Sequence, residues 1–162
     1  MKHLFMARHG NYGAEGRLNA SGREQIEKLS QVIKTILNDD SAYIASSTEP
    51  RALDSSDVLV AQLGLNDFEQ VPFLCPKRSS SSYEYGKKGK EELLRIIDER
   101  SERADALILM SHFNEINALK KLFWEKRLGQ NNSYPGYPDK GEAVYFDLQS
   151  RKHKVIPSRL NL

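Results

Sequence analysis

The sequence predicts a three-layer α/β/α sandwich around a mostly parallel central sheet. Three observations support this prediction. Short apolar runs alternate with longer segments whose apolar residues recur at helical spacing, as expected of strands connected by helices. The last two apolar runs lie too close together for a helical crossover, so they should pair antiparallel at one edge. No linker or internal repeat divides the 162 residues, so we expect one domain spanning residues 1–162.

The first elements have recognisable boundaries. Residues 2–7 form a short apolar run before a glycine, which predicts a buried strand. Ser21 is followed three residues later by Glu24, the pattern of a capping box. Apolar residues then recur with a helical period. We therefore expect the first helix at about residues 22–38.

The next elements follow the same alternation. Residues 42–45 are apolar and predict the second strand. Thr48 can cap a helix that has Pro50 in its first turn and ends at Gly64. A third strand is expected at about residues 68–74.

The second half of the chain repeats the pattern with a longer irregular segment at its start. This segment, residues 75–89, is rich in serine and could be a mobile loop or a lid. A charged helix with four inward-facing apolar residues should follow: Leu93, Leu94, Ile96 and Ile97. The remaining expected elements are a strand at 105–110, a helix at about 115–128, a loop at 129–140, and strands near 142–148 and 152–156.

Composition excludes several classes of function. The chain has 24 basic and 22 acidic residues, which disfavours a dedicated nucleic-acid binder. Cys75 is the only cysteine, so no intrachain disulfide can form. No two of the four histidines have the helical spacing of a metal site, and we expect no metal or other cofactor. The absence of a signal-like segment or a long apolar run favours a cytoplasmic protein without a membrane partner.

Four polar residues lie beyond strand ends. Arg8 and His9 follow the first strand, Arg51 comes shortly after the second, and His112 follows the strand at 105–110. Each could be an ordinary surface or capping residue by itself. However, the carboxyl ends of parallel strands meet at one edge of a sheet, where ligands bind. Two arginines and two histidines at one point suit a tetrahedral dianion, because guanidinium groups fork onto two oxygens at once.

Four segments, three of which carry these residues, resemble the histidine phosphatase superfamily, which has the phosphoglycerate mutase-like fold. They are "ARHG", "LNASGREQ", "ASSTEPRALDSS" and "LILMSHFNEI". The segments occur in the order of the family and span nearly the whole chain. The resemblance implies an α/β/α domain that acts on phosphorylated substrates without a metal.

The resemblance also implies individual roles. His9 would be the nucleophile, and Arg8, Arg51 and His112 would hold the phosphoryl group. The implied substrate contacts also include Asn19, at a position where the family usually has threonine, and Phe113, which follows His112. The charges of the two arginines should keep His9 neutral near pH 7, with its other ring nitrogen bonded to a backbone carbonyl. A protonated His112 would then stabilise charge on the phosphoryl oxygens.

The general acid has two candidates in the sequence. Many family members have a glutamate just after the third strand, where this chain has Cys75 in "LCPK". Glu84 is the nearest candidate, although it is equally consistent with an exposed loop residue. Glu115 is a second candidate, although a charge at a helix N-terminus is the simpler interpretation. Some short family members act on phosphohistidine, whose leaving group is less demanding.

The sequence therefore predicts a metal-independent phosphatase that hydrolyses a phosphomonoester or phosphohistidine through phospho-His9. The short chain resembles the SixA-like members in length. Its partner would be a phosphorylated small molecule or a phosphoprotein. The alternatives are a non-catalytic phosphate-binding module on the same fold and, less favoured, a phosphoglycerate mutase-type phosphotransferase. A mutase must exclude water, and this chain lacks long insertions to cover the site.

Overall fold

A computed structural model describes residues 1–76, 87–130 and 136–158. Within these residues, helices lie on both faces of one mixed sheet. The strands are β1 (His3–Arg8), β2 (Ala42–Ser46), β3 (Glu69–Gln70), β4 (Ala106–Ser111), β5 (Ala143–Asp147) and β6 (Lys152–Ile156). The helices are α1 (Ala20–Leu37), α2 (Pro50–Leu63), α3 (Lys87–Asp98) and α4 (Phe113–Lys126), with a 3-10 turn at Pro72–Leu74.

The sheet has the strand order β3-β2-β4-β1-β5-β6. The first four strands in this order pair in parallel, whereas β5 pairs antiparallel with both β1 and β6. This confirms the mostly parallel sheet and the antiparallel pair at its edge. The register pairs Arg8 of β1 with Ser111 of β4. As a result, the residues that follow them, His9 and His112, leave the sheet side by side.

The core consists of two layers, one on each face of the sheet. Successive side chains of β1 point to opposite faces, so Leu4 and Met6 join one layer and Phe5 and Ala7 join the other. Helices α3 and α4 cover the first layer, and α1 and α2 cover the second. The inward-facing residues expected on α3 are buried: Leu93, Leu94, Ile96 and Ile97. No helix among the described residues has the length and apolar character needed to cross a bilayer.

Four predicted boundaries differ from those in the structure. Helix α1 begins two residues early, because the side chain of Asn19, rather than Ser21, accepts the capping hydrogen bond from the Gly22 amide. Helix α2 is preceded by Glu49 as its N-cap residue, not by Thr48, although it ends at Gly64 in a left-handed conformation as expected.

The expected third strand at 68–74 was also too long. Only Glu69 and Gln70 pair with β2, and the chain then enters the 3-10 turn. Pro72 begins this turn, and a proline has no backbone N–H that could donate to a strand ladder. Helix α4 begins at Phe113, two residues before the expected start, and ends at Lys126.

Two glycines bring the loop after β1 against the start of α1. A Cβ atom on Gly10 would lie 2.5 Å from the Gly22 carbonyl oxygen, and one on Gly22 would lie 2.0 Å from the Asn11 carbonyl oxygen. The loop that carries His9 therefore crosses the first turn of α1 at backbone contact. The amide of Asn19 also donates to the Asn11 carbonyl, which ties the helix N-cap to the same loop.

Candidate active site

The structure brings together the four residues predicted from the strand ends. Arg8 ends β1 and His9 follows it, Arg51 lies in the first turn of α2, and His112 is the N-cap residue of α4. The ring centroids of His9 and His112 are 5.0 Å apart. The two rings are nearly enclosed, with exposed fractions of 4% each, although they lie beyond the edge of the sheet.

Two hydrogen bonds fix the ring of His9. Nδ1 donates to the carbonyl of Gly10 at 2.9 Å, which is the bond to a backbone carbonyl that the sequence predicted. Nε2 therefore carries a lone pair, and it accepts a hydrogen bond from Nε of Arg51 at 3.1 Å. This tautomer gives a ring whose unprotonated nitrogen faces a cation.

The environment of His9 lowers its pKa to about 4. Burial is the largest cause, and it is opposed by the hydrogen bond to Gly10; the positive charges of Arg51, Arg8 and Lys140 contribute further lowering. The sequence predicted a neutral His9 from the arginine charges alone. The neutral ring is confirmed, but its main cause is removal from water.

His112 is also neutral in the free protein, and the protonated His112 expected during catalysis stays a prediction. Its pKa is lowered to about 3, first by burial and then by His9, Arg51 and Arg8. Nε2 shares a hydrogen bond with the Ser47 hydroxyl at 2.8 Å. Nδ1 is buried and has no hydrogen-bond partner among the described residues.

Arg8 is held by its aromatic and backbone neighbours. Its guanidinium lies over the ring of Phe113 at 5.0 Å, and it donates to the carbonyl of Pro138 at 3.4 Å. Its Nε is buried without a hydrogen-bond partner in the described part of the chain. Arg8 and His112 thus each bring one unused polar atom to the site.

Arg51 is positioned by three neighbours. It donates to the Glu49 carboxylate at 3.2 Å, and its guanidinium lies over the ring of Tyr12 at 4.9 Å. Its backbone carbonyl accepts from the Ser55 hydroxyl, which in turn accepts from the amide of Gly10. Helix α2 and the loop after β1 are therefore linked through the site itself.

The remaining predicted residues are placed less directly. Phe113 lies against Arg8, as described. Asn19 uses its side-chain oxygen to cap α1, so a contact of its side chain with substrate remains a proposal. Glu84 lies outside the described residues. Glu115 is fully buried in the first turn of α4, and its role as a general acid stays a prediction.

The sequence did not predict several residues that surround the site. The rings of Tyr12 and His9 meet edge-on, with their centroids 5.3 Å apart. The amine of Lys140 lies 4.5 Å from the centroid of the same Tyr12 ring. The sequence assigned Ser47 only to a turn. Neither Tyr12 nor Lys140 belongs to a sequence pattern that would have predicted a place in the site. Cys75 lies beside Ser47, and its sulfur is 3.3 Å from the serine hydroxyl.

A polar groove of about 480 Å³ extends from the site along the loop before β5. Charged residues of both signs and three uncharged polar residues line it: Arg8, Asp139, Lys140 and Glu142, with Asn11, Gln25 and Ser158. Over the three described ranges, no three His, Cys, Asp or Glu side chains come together as ligands for a metal ion.

Solved structures match this fold over almost the full length of the chain, and one of them is the protein histidine phosphatase SixA. The chain therefore has the histidine phosphatase fold, also called phosphoglycerate mutase-like, as the sequence predicted. Neither the protein-family models nor the curated protein sequences give a significant match.

Three of these structures illustrate the similarity. A mycobacterial glucosyl-3-phosphoglycerate phosphatase is 15% identical, with a TM-score of 0.65 and coverage of 97% of this chain and 98% of that one. The protein histidine phosphatase SixA, solved with tungstate, is 15% identical, with a TM-score of 0.64 and coverage of 95% and 94%. YhfR of Bacillus stearothermophilus is 15% identical, with a TM-score of 0.64 and coverage of 96% and 95%.

Proposed function

We propose that this protein is a metal-independent phosphatase that hydrolyses a phosphomonoester or phosphohistidine through a covalent intermediate on His9. Its substrate would be a phosphorylated small molecule or a phosphoprotein. The observation that carries the proposal is the state of His9: a neutral ring with its proton on Nδ1 and a lone pair on Nε2, next to two arginines. This is the form that a nucleophilic histidine needs.

The phosphoryl group would be held by donors that are unused or replaceable in the free protein. The Nε of Arg8 and the Nδ1 of His112 have no partners among the described residues, and buried polar atoms normally have them. Arg51 would exchange its hydrogen bond to His9 for one to a phosphoryl oxygen. That exchange frees the Nε2 lone pair at the moment when the substrate arrives.

Ser47 would set the role of His112. If the Ser47 hydroxyl donates to Nε2, the ring proton is on Nδ1, and a neutral His112 can donate to a phosphoryl oxygen. The charge of a bound dianion would also raise the pKa of His112 from its low value in the free protein. Protonation of His112 would then be a consequence of substrate binding.

The reaction would have two steps. In the first, the Nε2 lone pair of His9 attacks phosphorus, the bond from phosphorus to the leaving group breaks, and the leaving group takes the bonding electrons. In the second, a water oxygen attacks the same phosphorus, the phosphorus–nitrogen bond breaks, and phosphate is released. Glu84 remains the candidate proton donor to an alkoxide leaving group. An aryl or imidazole leaving group needs less assistance.

The structural neighbours support the phosphatase class. One is a sugar-phosphoglycerate phosphatase and another a protein histidine phosphatase, so the fold accommodates both kinds of substrate. The protein histidine phosphatase was solved with tungstate, a tetrahedral oxyanion. The cluster of Arg8, Arg51, His9 and His112 suits the same shape and charge.

The first test is hydrolysis of p-nitrophenyl phosphate with EDTA present, comparing the wild type with His9→Ala. We expect turnover by the wild type and none above background by the variant. The matched control is His153→Ala, which removes a histidine from the edge strand β6, where it packs against Trp124. Loss of wild-type activity on addition of EDTA would contradict the metal-independent mechanism.

A second test looks for the intermediate. Wild-type protein mixed with ³²P-labelled substrate and quenched in alkali should retain acid-labile label, and His9→Ala should retain none. Phosphate binding without turnover or label would instead favour the non-catalytic phosphate-binding module. Transfer of the label to a second position of a glycerate acceptor would favour the mutase alternative.

A further inference from the structure

A cluster of exposed aromatic rings borders the site. Among the described residues, three large apolar side chains are exposed: Tyr12 at 39%, Phe113 at 38% and Tyr137 at 70%. Tyr12 and Phe113 each lie against an arginine of the site, and Tyr137 stacks on Phe113 with ring centroids 5.9 Å apart. The other large apolar side chains in the described part of the chain are buried or partly buried, so the exposed rings are concentrated at the site.

The Phe113–Tyr137 pair forms a wall that leads away from the phosphate site. It begins at Arg8, which lies over Phe113, and ends at Tyr137, whose ring is mostly open to solvent. Tyr12 is different, because Arg51 and Lys140 both lie over its ring. Phe113 and Tyr137 therefore provide the aromatic surface that a group attached to a bound phosphoryl could contact.

The exposed ring of Tyr137 is held in position. The amine of Lys120 lies 3.8 Å from its centroid, and the same amine donates to the carbonyl of Gly136 at 2.8 Å. Lys120 itself is buried, with 4% of its surface exposed. A buried cation thus fixes both the ring and its backbone, and a pre-positioned ring contributes more to binding than a freely rotating one.

We propose that Phe113 and Tyr137 bind the leaving group of the substrate, and that they select phosphoryl groups attached to a planar aromatic ring. This inference rests on the proposed function for the phosphoryl half of the site. Aromatic rings attract one another in offset-stacked and edge-to-face arrangements beyond the effect of their area. A saturated ring of similar size lacks that attraction. The leaving group could be a phenol, as in phosphotyrosine, or an imidazole, as in phosphohistidine.

The decisive experiment compares two non-hydrolysable ligands of similar size by calorimetry. Phenylphosphonate has a planar ring and cyclohexylphosphonate has a saturated one. We expect wild-type protein to bind phenylphosphonate about 2- to 10-fold more tightly. Tyr137→Ala and Phe113→Leu should reduce this preference, and Tyr137→Phe should keep it. Circular dichroism of each variant checks that it is folded.

The results separate this inference from the proposed function. Equal affinities in the wild type, no binding of either phosphonate, or a preference that persists in both Tyr137→Ala and Phe113→Leu would overturn the inference. The proposed function is tested separately, by His9-dependent turnover of p-nitrophenyl phosphate. Rates on phenyl phosphate and phosphoimidazole then identify which planar leaving group the wall favours, and both rates should fall in Tyr137→Ala but not in Tyr137→Phe.

Discussion

The two ends of β1 each carry a histidine, and the two histidines have opposite surroundings. At the amino end, the Nε2 of His3 lies 3.0 Å from a carboxylate oxygen of Asp40, and its Nδ1 lies 2.9 Å from the Tyr145 hydroxyl. Beyond the carboxyl end, His9 has a backbone carbonyl on one ring nitrogen and the cation of Arg51 on the other. His3 lies in a network of ion pairs, whereas His9 lies among positive charges.

This difference fits a structural role for His3 and the nucleophilic role proposed for His9. Lys2 bridges Asp40 and Asp105 beside His3, so both carboxylates at that end are paired with a cation. Around His9, burial and the neighbouring arginines disfavour the charged ring, and no acidic side chain is hydrogen-bonded to it among the described residues. Glu49 compensates part of this charge through its ion pair with Arg51, and the remainder favours the binding of an anion.

The largest difference in activity is expected between two separate variants, His9→Gln and His3→Gln. His9→Gln should lower kcat/KM for p-nitrophenyl phosphate by at least about a thousandfold, because the nucleophile is lost. His3→Gln should leave kcat/KM within about twofold of the wild type and lower the free energy of unfolding by about 1 kcal/mol, through its hydrogen bonds. Steady-state kinetics and urea unfolding measure both. A folded His3→Gln protein without activity would contradict the comparison.

A smaller loss of kcat is expected when an arginine of the site is changed to lysine, and no loss when the same change is made at the other end of the sheet. Arg51→Lys keeps the charge but loses the fork and the Nε bond to His9, and kcat should fall by about a hundredfold. Arg103→Lys is the control. Arg103 donates to the Tyr43 hydroxyl at the opposite end of β2, and its variant should keep wild-type kcat. Equal kcat values for the two variants would show that Arg51 contributes charge alone.

The loop that carries His9 should tolerate little change. Gly22→Ala places a Cβ atom against the Asn11 carbonyl, so we expect a loss of about 1–3 kcal/mol in the free energy of unfolding. We also expect about a tenfold loss in kcat, because the His9 loop must shift. Gly13→Ala is the control, since the space around Gly13 is open, and its unfolding free energy should change by less than about 0.5 kcal/mol. Wild-type values for Gly22→Ala would show that the loop can move without cost.

The sequence predicted the four central residues because each follows directly from a strong local pattern. All six residues of β4 are buried, and a continuous apolar run of this kind identifies a central parallel strand. Once β1, β2 and β4 are known to be parallel, their carboxyl ends must meet. Arg8, His9, Arg51 and His112 were therefore predictable as a cluster without any contact being known.

The sequence was less informative wherever a tertiary contact decides between two acceptable local choices. Asn19 and Ser21 are both good N-cap residues, and the close approach of Gly22 to the His9 loop accompanies the use of Asn19. The protonation state of His112 depends on its burial, which spacing alone does not show. Tyr137 joins the site from a loop without any periodicity, more than a hundred residues after His9.

The smallest expected effect is on the pH dependence of stability. The pKa of His9 is about 4 in the folded protein, below the ordinary histidine value of 6.5, so the unfolded chain binds a proton first as the pH falls. The contribution of His9 is complete above about pH 6.5 and is lost progressively between pH 6.5 and 4. Urea unfolding at pH 7 and pH 5 should therefore show a larger acid-induced loss of stability for the wild type than for His9→Gln. His3→Gln serves as the comparison from the other end of β1, and it should keep the part of the acid-induced loss that comes from His9. If His9→Gln loses as much stability as the wild type between these pH values, the ring of His9 is not held neutral by burial, and the low pKa that supports its nucleophilic role is wrong.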